Sequence, residues 1–329
     1  MDVAEFVNAL PKAELHLHLE GALPWAMTRA HSPHPLPDTP EWWADEFRFE
    51  NFDFFKQAIA LCYKHILTGL DRYRQAAGTV FDGLAGQNVR YVEISFSVDW
   101  ATAQELAIND VAAAIKRAAP SSMAVRVFGG LSREEPPTNN SLLDAVLGAA
   151  NLDGLDLHGD ETVQGPAPFA DIFAQARQNG LMTKAHAGEL VGPRSVADTL
   201  DLLRVTRIEH GTTAVHDAAL MARLADEAIT LDMCPWSNVR LRVVNRLADH
   251  PILEFHRRGI PVTINTDDPT LFGTSLTHEL LSLVSQLRFS LADLAAVQAN
   301  AFRAAAIPAA TRAGLLAEID DLLAAANHR

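Results

Sequence analysis

Short strand-like stretches alternate with longer helical stretches along most of the chain. In the first, residues 13–21, leucine occupies every second position, which is the repeat of an extended strand. The stretches that follow are rich in β-branched and aromatic residues. They span 89–97, 123–128, 152–157, 181–186, 207–210, 229–234 and 261–265. Helical periodicity spans 102–119, 140–150, 168–179, 195–203, 217–226, 251–258, 275–287, 291–305 and 310–326.

Strands that are mostly followed by helices favour parallel pairing. Eight such strands predict closure into a (β/α)8 TIM barrel with its active site at the carboxyl ends of the strands. The alternative is an open, doubly wound sheet, which favours a glycine-rich phosphate loop after the first strand. Gly21 is a single glycine at that point. We therefore predict an α/β chain whose residues 1–329 form one barrel domain.

The connection after the first strand, at about 25–80, is long for a barrel and has an unusual composition. Four prolines within 31–40 predict a loop there. The aromatic-rich stretch 42–55 predicts either helices that pack through aromatic faces or a lid over a pocket. Both interpretations stay open from the sequence.

Composition excludes several classes of partner. A formal net charge of −14 argues against nucleic acid and anionic membranes as partners. The cysteines, Cys62 and Cys234, form no disulfide framework. The sequence shows neither a signal-peptide pattern nor an apolar run of about 18 residues, so we expect a cytoplasmic protein that binds a small molecule.

The first strand carries the earliest sign of chemistry. If it stays extended, Glu14, His16, His18 and Glu20 share one face. Two histidines two residues apart on a strand can bind one metal ion through their neutral ring nitrogens. The alternative is a half-exposed strand with incidental histidines.

Other strands also end in residues that bind metals or transfer protons. The polar strand ends are 158–161, 186–189, 210–212, 234–238 and 267–269. Barrel closure would bring them onto one rim, where three histidines and one aspartate would suit a single zinc ion. Zinc lowers the pKa of bound water toward about 7. Glu189 is then the candidate proton donor, and His210 can orient or deprotonate the water.

A site with two metals would need a bridging carboxylate or a modified lysine. The fourth predicted strand offers no lysine. Lys184 lies two residues before His186, and we expect it to form a structural salt bridge inside the barrel.

Four motifs together resemble the adenosine/adenine deaminase family of the amidohydrolase superfamily. They are His16-Leu-His18-Leu-Glu-Gly, His186-Ala-Gly-Glu189, His210-Gly-Thr and Asn265-Thr-Asp267-Asp268-Pro, and the match runs from about residue 11 to 280. The resemblance implies one zinc per chain, bound by His16, His18, His186 and Asp267. It implies that Glu189 protonates purine N1 and that His210 lies beside the attacking water. It also implies contacts of Asp268 with N7 and of the Gly159 backbone N–H with N3.

The resemblance leaves the substrate open. Glu20, at a position where adenosine deaminases usually have the aspartate that faces the ribose, resembles the adenine deaminase branch, as does 237–244. Segments 157–161 and 234–236 are closer to the nucleoside branch. We predict hydrolytic deamination of a nucleoside-like 6-aminopurine, with adenine deaminase or 6-aminodeoxyfutalosine deaminase as alternatives. A binding protein that has lost catalysis, and a zinc hydrolase of another amide or amidine, are the competing classes.

Overall fold

The computed structural model of the chain describes residues 1–136 and 140–327. Within them lie eight strands: β1 Lys12–His18, β2 Val89–Ser97, β3 Ala124–Ser132, β4 Gly154–His158, β5 Met182–Ala187, β6 Arg207–His210, β7 Thr230–Met233 and β8 Val262–Ile264.

The α-helices of the described residues lie between and after these strands. They are α1 Val3–Ala9, α2 Leu19–Ala22, α3 Trp25–His31, α4 Phe52–Tyr63, α5 Leu70–Ala85, α6 Val98–Ala103, α7 Ile108–Arg117, α8 Asn140–Leu147, α9 Ala170–Gln178, α10 Pro193–Leu203, α11 Ala218–Asp226, α12 Pro235–Arg240, α13 Ile252–Arg257, α14 Pro269–Phe272, α15 Leu276–Leu287, α16 Leu291–Ala304 and α17 Ala309–Asn327. Short 3-10 helices lie at Glu41–Trp43, Ala167–Phe169, Thr212–His216 and Leu247–Asp249. Among the helices described, none is long and apolar enough to cross a bilayer.

The strands form one parallel sheet in chain order, β1 to β8. The sheet closes where Leu17 bridges Asp267. At this seam the His18 backbone N–H donates to the Asp267 carbonyl oxygen, and the Asp267 N–H donates to the His16 carbonyl oxygen, both at 3.0 Å. The predicted (β/α)8 barrel is therefore confirmed, and its closing seam joins residues from two of the polar strand ends.

Two predicted boundaries are wrong in an informative way. β1 ends at His18, and Glu20 lies in the short helix α2 instead of on the strand face that carries His16 and His18. The single helix predicted over 102–119 is two helices, α6 and α7. They are separated where Glu105 takes a left-handed backbone conformation with φ 58°, which an α-helix cannot contain.

The barrel interior below the site is filled with charged side chains. Arg207 bridges Glu93 and Asp232, with N–O distances of 2.7 and 2.6 Å. Lys184 Nζ lies 2.8 Å from Glu209 Oε1, so the internal salt bridge expected for this lysine is confirmed. Buried charges are tolerated only when they are paired, and these pairs also hold the strands in register beneath the site.

The region between β1 and β2 builds a second hydrophobic cluster outside the barrel. Trp25, Trp42, Phe49 and Phe55 pack there with residues of α14. The rings of Phe55 and Phe272 stack with their centroids 5.6 Å apart and an interplanar angle of 8°. The aromatic packing expected of 42–55 is present, but the expected helices are mostly absent, because the stretch between the 3-10 helix Glu41–Trp43 and the start of α4 at Phe52 is not helical. This packing places α4 over the mouth of the barrel, and a lid at 25–80 stays a prediction.

Candidate active site

Four side-chain atoms converge at the carboxyl end of the barrel. The Nε2 atoms of His16, His18 and His186 lie 3.1–3.3 Å from one another. Asp267 Oδ1 lies 3.3 Å from the Nε2 atoms of both His16 and His18. Four ligands at about 2.0–2.1 Å from a tetrahedral zinc ion are separated by about 3.3–3.4 Å. The spacing of these atoms is therefore that of a tetrahedral metal site.

The protons on the rings also fit a metal. His186 Nδ1 lies 3.0 Å from the Leu157 carbonyl oxygen, and His16 Nδ1 lies 3.3 Å from that of Asp232. A carbonyl oxygen only accepts, so each Nδ1 carries the proton of its ring and each Nε2 presents a lone pair. Lone pairs and a carboxylate that face one another at this distance repel, and a cation between them removes that repulsion.

The charge around the cluster favours a cation as well. Burial alone would lower the pKa of His186, but the carboxylates of Glu209 and Asp156 outweigh burial and raise it well above its ordinary value. Glu209 Oε2 lies 2.9 Å from His186 Nδ1. The negative potential that favours a protonated imidazole favours a divalent cation in the same place.

Backbone strain holds two of the site residues. Asp267 and His210 have φ angles of 61° and 66°, in the left-handed region that non-glycine residues rarely adopt. Such a conformation costs on the order of 1–3 kcal/mol and persists where the surroundings enforce it. For Asp267 the barrel seam does so, and Ser237 Oγ donates to its Oδ2 at 2.8 Å.

Glu189 lies on the turn after β5, and a buried carboxylate shapes that turn. Glu161 accepts hydrogen bonds at 2.7–2.8 Å from the backbone N–H groups of Gly188, Glu189 and Leu190. It also accepts one from Ser195 Oγ at 2.7 Å. Sequence reasoning missed Glu161 as a functional residue, although it ends the polar strand-end segment 158–161.

Burial decides the protonation of the residues beside the cluster. Burial, together with the negative charge of Asp267, raises the pKa of Glu189 well above its ordinary value. Burial lowers the pKa of His210 well below its ordinary value. Glu189 Oε1 and His210 Nε2 lie 3.4 Å apart. These shifts therefore favour the protonated form of the Glu189 carboxyl group and the neutral form of the His210 imidazole.

A second missed residue, Asn238, joins these two groups. Its side-chain nitrogen lies 3.3 Å from Glu189 Oε1 and 3.1 Å from His210 Nδ1. Asn238 is fully buried. The only signal in the sequence was its place in the strand-seven segment 234–238, which does not reveal what its amide contacts.

A cavity of about 150 Å³ lies between the cluster and α4. Its polar wall includes His18, His186, Glu189, His210, Asp267, Asp268, Glu20, Gly159, Ser132, Glu134 and His158, and its roof includes Phe52, Phe55, Ile59 and Leu241. The structure thus brings together around one cavity every predicted site residue except His16, which lies in the metal-ligand cluster behind it. Trp236 does not line the cavity. Its Nε1 donates to Ser282 Oγ at 3.0 Å and its ring stacks on His278.

The groups predicted to contact a substrate are placed by close packing. Gly159 has a φ angle of +95°, and a Cβ there would lie 2.3 Å from Glu134 Oε2. At Gly21 a Cβ would lie 1.8 Å from Asp268 Oδ1, so glycine is required for Asp268 to reach its position. Burial, together with the charge of Asp267, raises the pKa of Asp268 well above its ordinary value.

Glu20 reaches the cavity although it has left β1. Its Oε1 accepts a hydrogen bond from the Ser97 N–H at 2.9 Å. Burial raises the pKa of this carboxyl group. The turn of α2 therefore carries Glu20 to the end of the cavity near β2.

Comparisons with known proteins agree with this geometry. Residues 11–322 match the family model described as adenosine deaminase. The chain is 36% identical over 341 residues to aminodeoxyfutalosine deaminase of Streptomyces avermitilis, covering 98% of this chain and 94% of that protein. It is 34% identical over 334 residues to an adenine deaminase of Ralstonia pickettii, covering 97% and 96% of the two chains. A crystal structure of an amidohydrolase from Burkholderia ambifaria with bound zinc superposes with a TM-score of 0.86 at 27% identity, covering 100% of this chain and 96% of that one.

Proposed function

The chain belongs to the adenosine deaminase family, and from this premise we propose that it hydrolyses the 6-amino group of a purine with the help of one zinc ion. The observation that supports this most is the tetrahedral spacing of His16, His18, His186 and Asp267 beside the buried Glu189. Zinc, when bound there, supplies a water nucleophile at neutral pH. The residues of the chain would do the rest.

Glu189 is proposed as the proton donor to ring nitrogen N1. Attack at C6 breaks the aromaticity of the ring and builds electron density on N1. A protonated carboxyl group at that edge interacts more strongly with the transition state than with the ground state, which is what lowers the barrier. The raised pKa of Glu189 favours the protonated form that this role requires. His210 and Asp267 would hold the attacking water on the opposite side.

Three groups are proposed to recognise the purine. Asp268 would meet N7, and its raised pKa makes it a hydrogen-bond donor, as a lone pair on N7 requires. The backbone N–H of Gly159 would meet N3, where the absence of a side chain allows close approach. Glu20 would face the substituent on N9. Together with Glu189 they would surround the ring edge.

We propose that α4, within the predicted lid at about 25–80, acts as the roof over the bound ring. Phe52, Phe55 and Ile59 line the cavity from this helix. Apolar side chains above the ring exclude water other than the reacting molecule.

The substrate we favour is a nucleoside-like 6-aminopurine. One oxygen of the Glu20 carboxyl group accepts from Ser97 at 2.9 Å, and we propose that this carboxyl group also accepts a hydrogen bond from a sugar hydroxyl. Both the adenine deaminase and the aminodeoxyfutalosine deaminase relatives cover nearly the whole chain, so overall similarity does not separate base from nucleoside.

Free adenine is the second candidate, and the size of the cavity favours it. A volume of about 150 Å³ is small beside the about 300–1,000 Å³ of typical ligand pockets. Trp236, one of the residues on which the nucleoside prediction depended, lies away from the cavity. A nucleoside would need more room than this cavity offers.

The test is a comparison of kcat/KM for ammonia release by zinc-loaded protein. The substrates are adenine, adenosine, deoxyadenosine, 5′-modified adenosines and 6-aminodeoxyfutalosine. We expect a nucleoside-like compound to exceed adenine by at least about tenfold, the effect of one good hydrogen bond. The reverse order would assign free adenine as the substrate. Absence of turnover with every compound would overturn the proposed function.

A further inference from the structure

A directional chain of hydrogen bonds leads from the start of α13 to His210. It begins at the backbone N–H of Ile252, which donates to His250 Nδ1 at 3.2 Å. A backbone N–H is always a donor. His250 Nδ1 must therefore be an acceptor without a proton, and this fixes the direction of every bond that follows.

The position of the proton on His250 fixes the orientation of the Asn238 side-chain amide. Burial lowers the pKa of His250 to about 3, so its ring is neutral near pH 7. A neutral ring whose Nδ1 accepts carries its proton on Nε2. His250 Nε2 lies 3.0 Å from Asn238 Oδ1, and Thr212 Oγ1 donates to the same oxygen at 2.7 Å. Two donors thus fix the carbonyl end of the Asn238 amide.

The other end of the amide is then a donor toward the active site. Asn238 Nδ2 lies 3.1 Å from His210 Nδ1 and 3.3 Å from Glu189 Oε1. Its two hydrogens match these two acceptors. Because His210 Nδ1 accepts, it bears no proton, and the single proton of the ring lies on Nε2. Within the described residues, that buried atom has no hydrogen-bond partner, and His210 lines the cavity.

We propose that Asn238 is a positioning residue that holds His210 in its Nε2–H form beside Glu189. In this form His210 donates a hydrogen bond to the attacking water and cannot remove its proton. The sequence left both roles open for His210, and the chain of hydrogen bonds selects the first. The consequence for catalysis rests on the proposed function, whereas the position of the proton on His210 does not.

The direct test is nitrogen NMR of zinc-loaded protein labelled with ¹⁵N-histidine. The variant His210→Gln identifies the His210 signals. We expect Nε2 to be protonated and Nδ1 unprotonated in the unsubstituted protein. The variant Asn238→Asp presents an acceptor oxygen to Nδ1, so the proton should move to Nδ1. A proton on Nδ1 before substitution, or no change in Asn238→Asp, would overturn the proposal.

Kinetic measurements provide a second test. A residue with only a structural role would not lower kcat while leaving KM and zinc content nearly unchanged. In Asn238→Asp we expect kcat to fall by at least about 10²-fold, because misplacing the proton of a catalytic histidine costs up to about 10⁴-fold in other enzymes. KM and zinc content should change little. The matched control is Asn179→Asp, at an exposed position after α9, which should leave kcat unchanged. A kcat within about threefold of the unsubstituted enzyme in Asn238→Asp would overturn the proposal.

The position of the proton on His210 can be decided even if Asn238→Asp does not fold or the protein deaminates no purine. If Asn238→Asp does not fold, the spectrum of the unsubstituted protein still decides the proton position. Asn238→Ala then tests the residue, because loss of the donor should give a mixture of both ring forms, and a pure Nε2–H form would overturn the proposal. If the unsubstituted protein deaminates no purine, the proposed function fails, but the spectra still decide the role of Asn238.

Discussion

Glu189 is the residue whose surroundings bear most directly on the reaction. Its carboxyl group is buried, lies beside His210 and accepts a hydrogen bond from Asn238. In Glu189→Gln the shape and the ability to donate a hydrogen bond remain, but no proton can be given up. We expect kcat to fall by at least about 10²-fold, the lower end for a general acid. Zinc content, measured by elemental analysis, should stay unchanged.

The pH dependence of the same variant checks this role. If Glu189 is the proton donor, its protonated form is the active one, so kcat should be full below its raised pKa and should fall as pH rises through it. Glu189→Gln should lack that fall. Glu41→Gln, at an exposed position, is the matched control. If Glu189→Gln kept near-normal kcat with zinc bound, Glu189 would have no part in proton transfer.

The sequence predicted some of these residues and missed others for a physical reason. His16, His18 and Glu189 stand in short motifs at strand ends, so their proximity follows from strand direction alone. Glu161 and Asn238 act through side-chain contacts with groups 27 to 49 residues away in the chain. A short sequence motif does not span so many residues. Only the folded barrel brings the two partners of each contact together.

At the scale of elements, the turn after β5 depends on one carboxylate. Glu161→Gln removes its charge and replaces one acceptor oxygen with a donor. Hydrogen bonds to charged groups contribute about 1.5–3 kcal/mol, so we expect amide hydrogen exchange at Gly188, Glu189 and Leu190 to become at least about tenfold faster. Exchange mass spectrometry measures this. Unchanged exchange at these amides would show that the turn holds its shape without Glu161.

The end of β1 shows where the alternation of residues misleads. Leucine alternates with polar residues beyond His18, which predicts a strand to residue 21. The register with β2 ends at His18, paired with Ser95, and the chain then turns into α2. A pattern with a period of two reports local burial but not the position where the neighbouring strand stops pairing. As a result, the strand-face argument for Glu20 was wrong, although Glu20 still reaches the cavity.

At the scale of the whole molecule, His250 links stability to pH. Its pKa is about 3 when folded and about 6.5 when unfolded. Between these values the unfolded state binds one more proton, so stability rises with pH and is lost as pH falls. From pH 7 to pH 5 this linkage amounts to about 2 kcal/mol. His250→Gln keeps a donor toward Asn238. Measured by denaturant unfolding, its free energy of unfolding should therefore fall by about 2 kcal/mol less between pH 7 and pH 5 than that of the unsubstituted protein.

The same experiment has a clear negative outcome. If the unsubstituted protein and His250→Gln lose the same unfolding free energy between pH 7 and pH 5, His250 does not stay neutral in the folded state. The first link between Ile252 and Asn238 would then be absent.

The closed barrel as a whole follows from repetition in the sequence, whereas its charged interior does not. Eight strand-like stretches in order were enough to predict closure. The ion pair of Arg207 with Glu93 joins β6 to β2, which is far away in the chain, and the pair with Asp232 joins β6 to the next strand, β7. Charged residues inside a strand predict exposure by themselves, and only their partners make burial possible.

One experiment measures metal-dependent hydrolysis of a 6-aminopurine directly. Zinc and released ammonia are determined in the same sample, with the 6-aminopurines named above as substrates. We expect one zinc per chain and ammonia equal to the 6-oxopurine formed, with activity lost on chelation and restored by zinc. If fully zinc-loaded protein converted none of these compounds, or if activity were undiminished after the metal is removed, the protein would not be a metal-dependent 6-aminopurine deaminase.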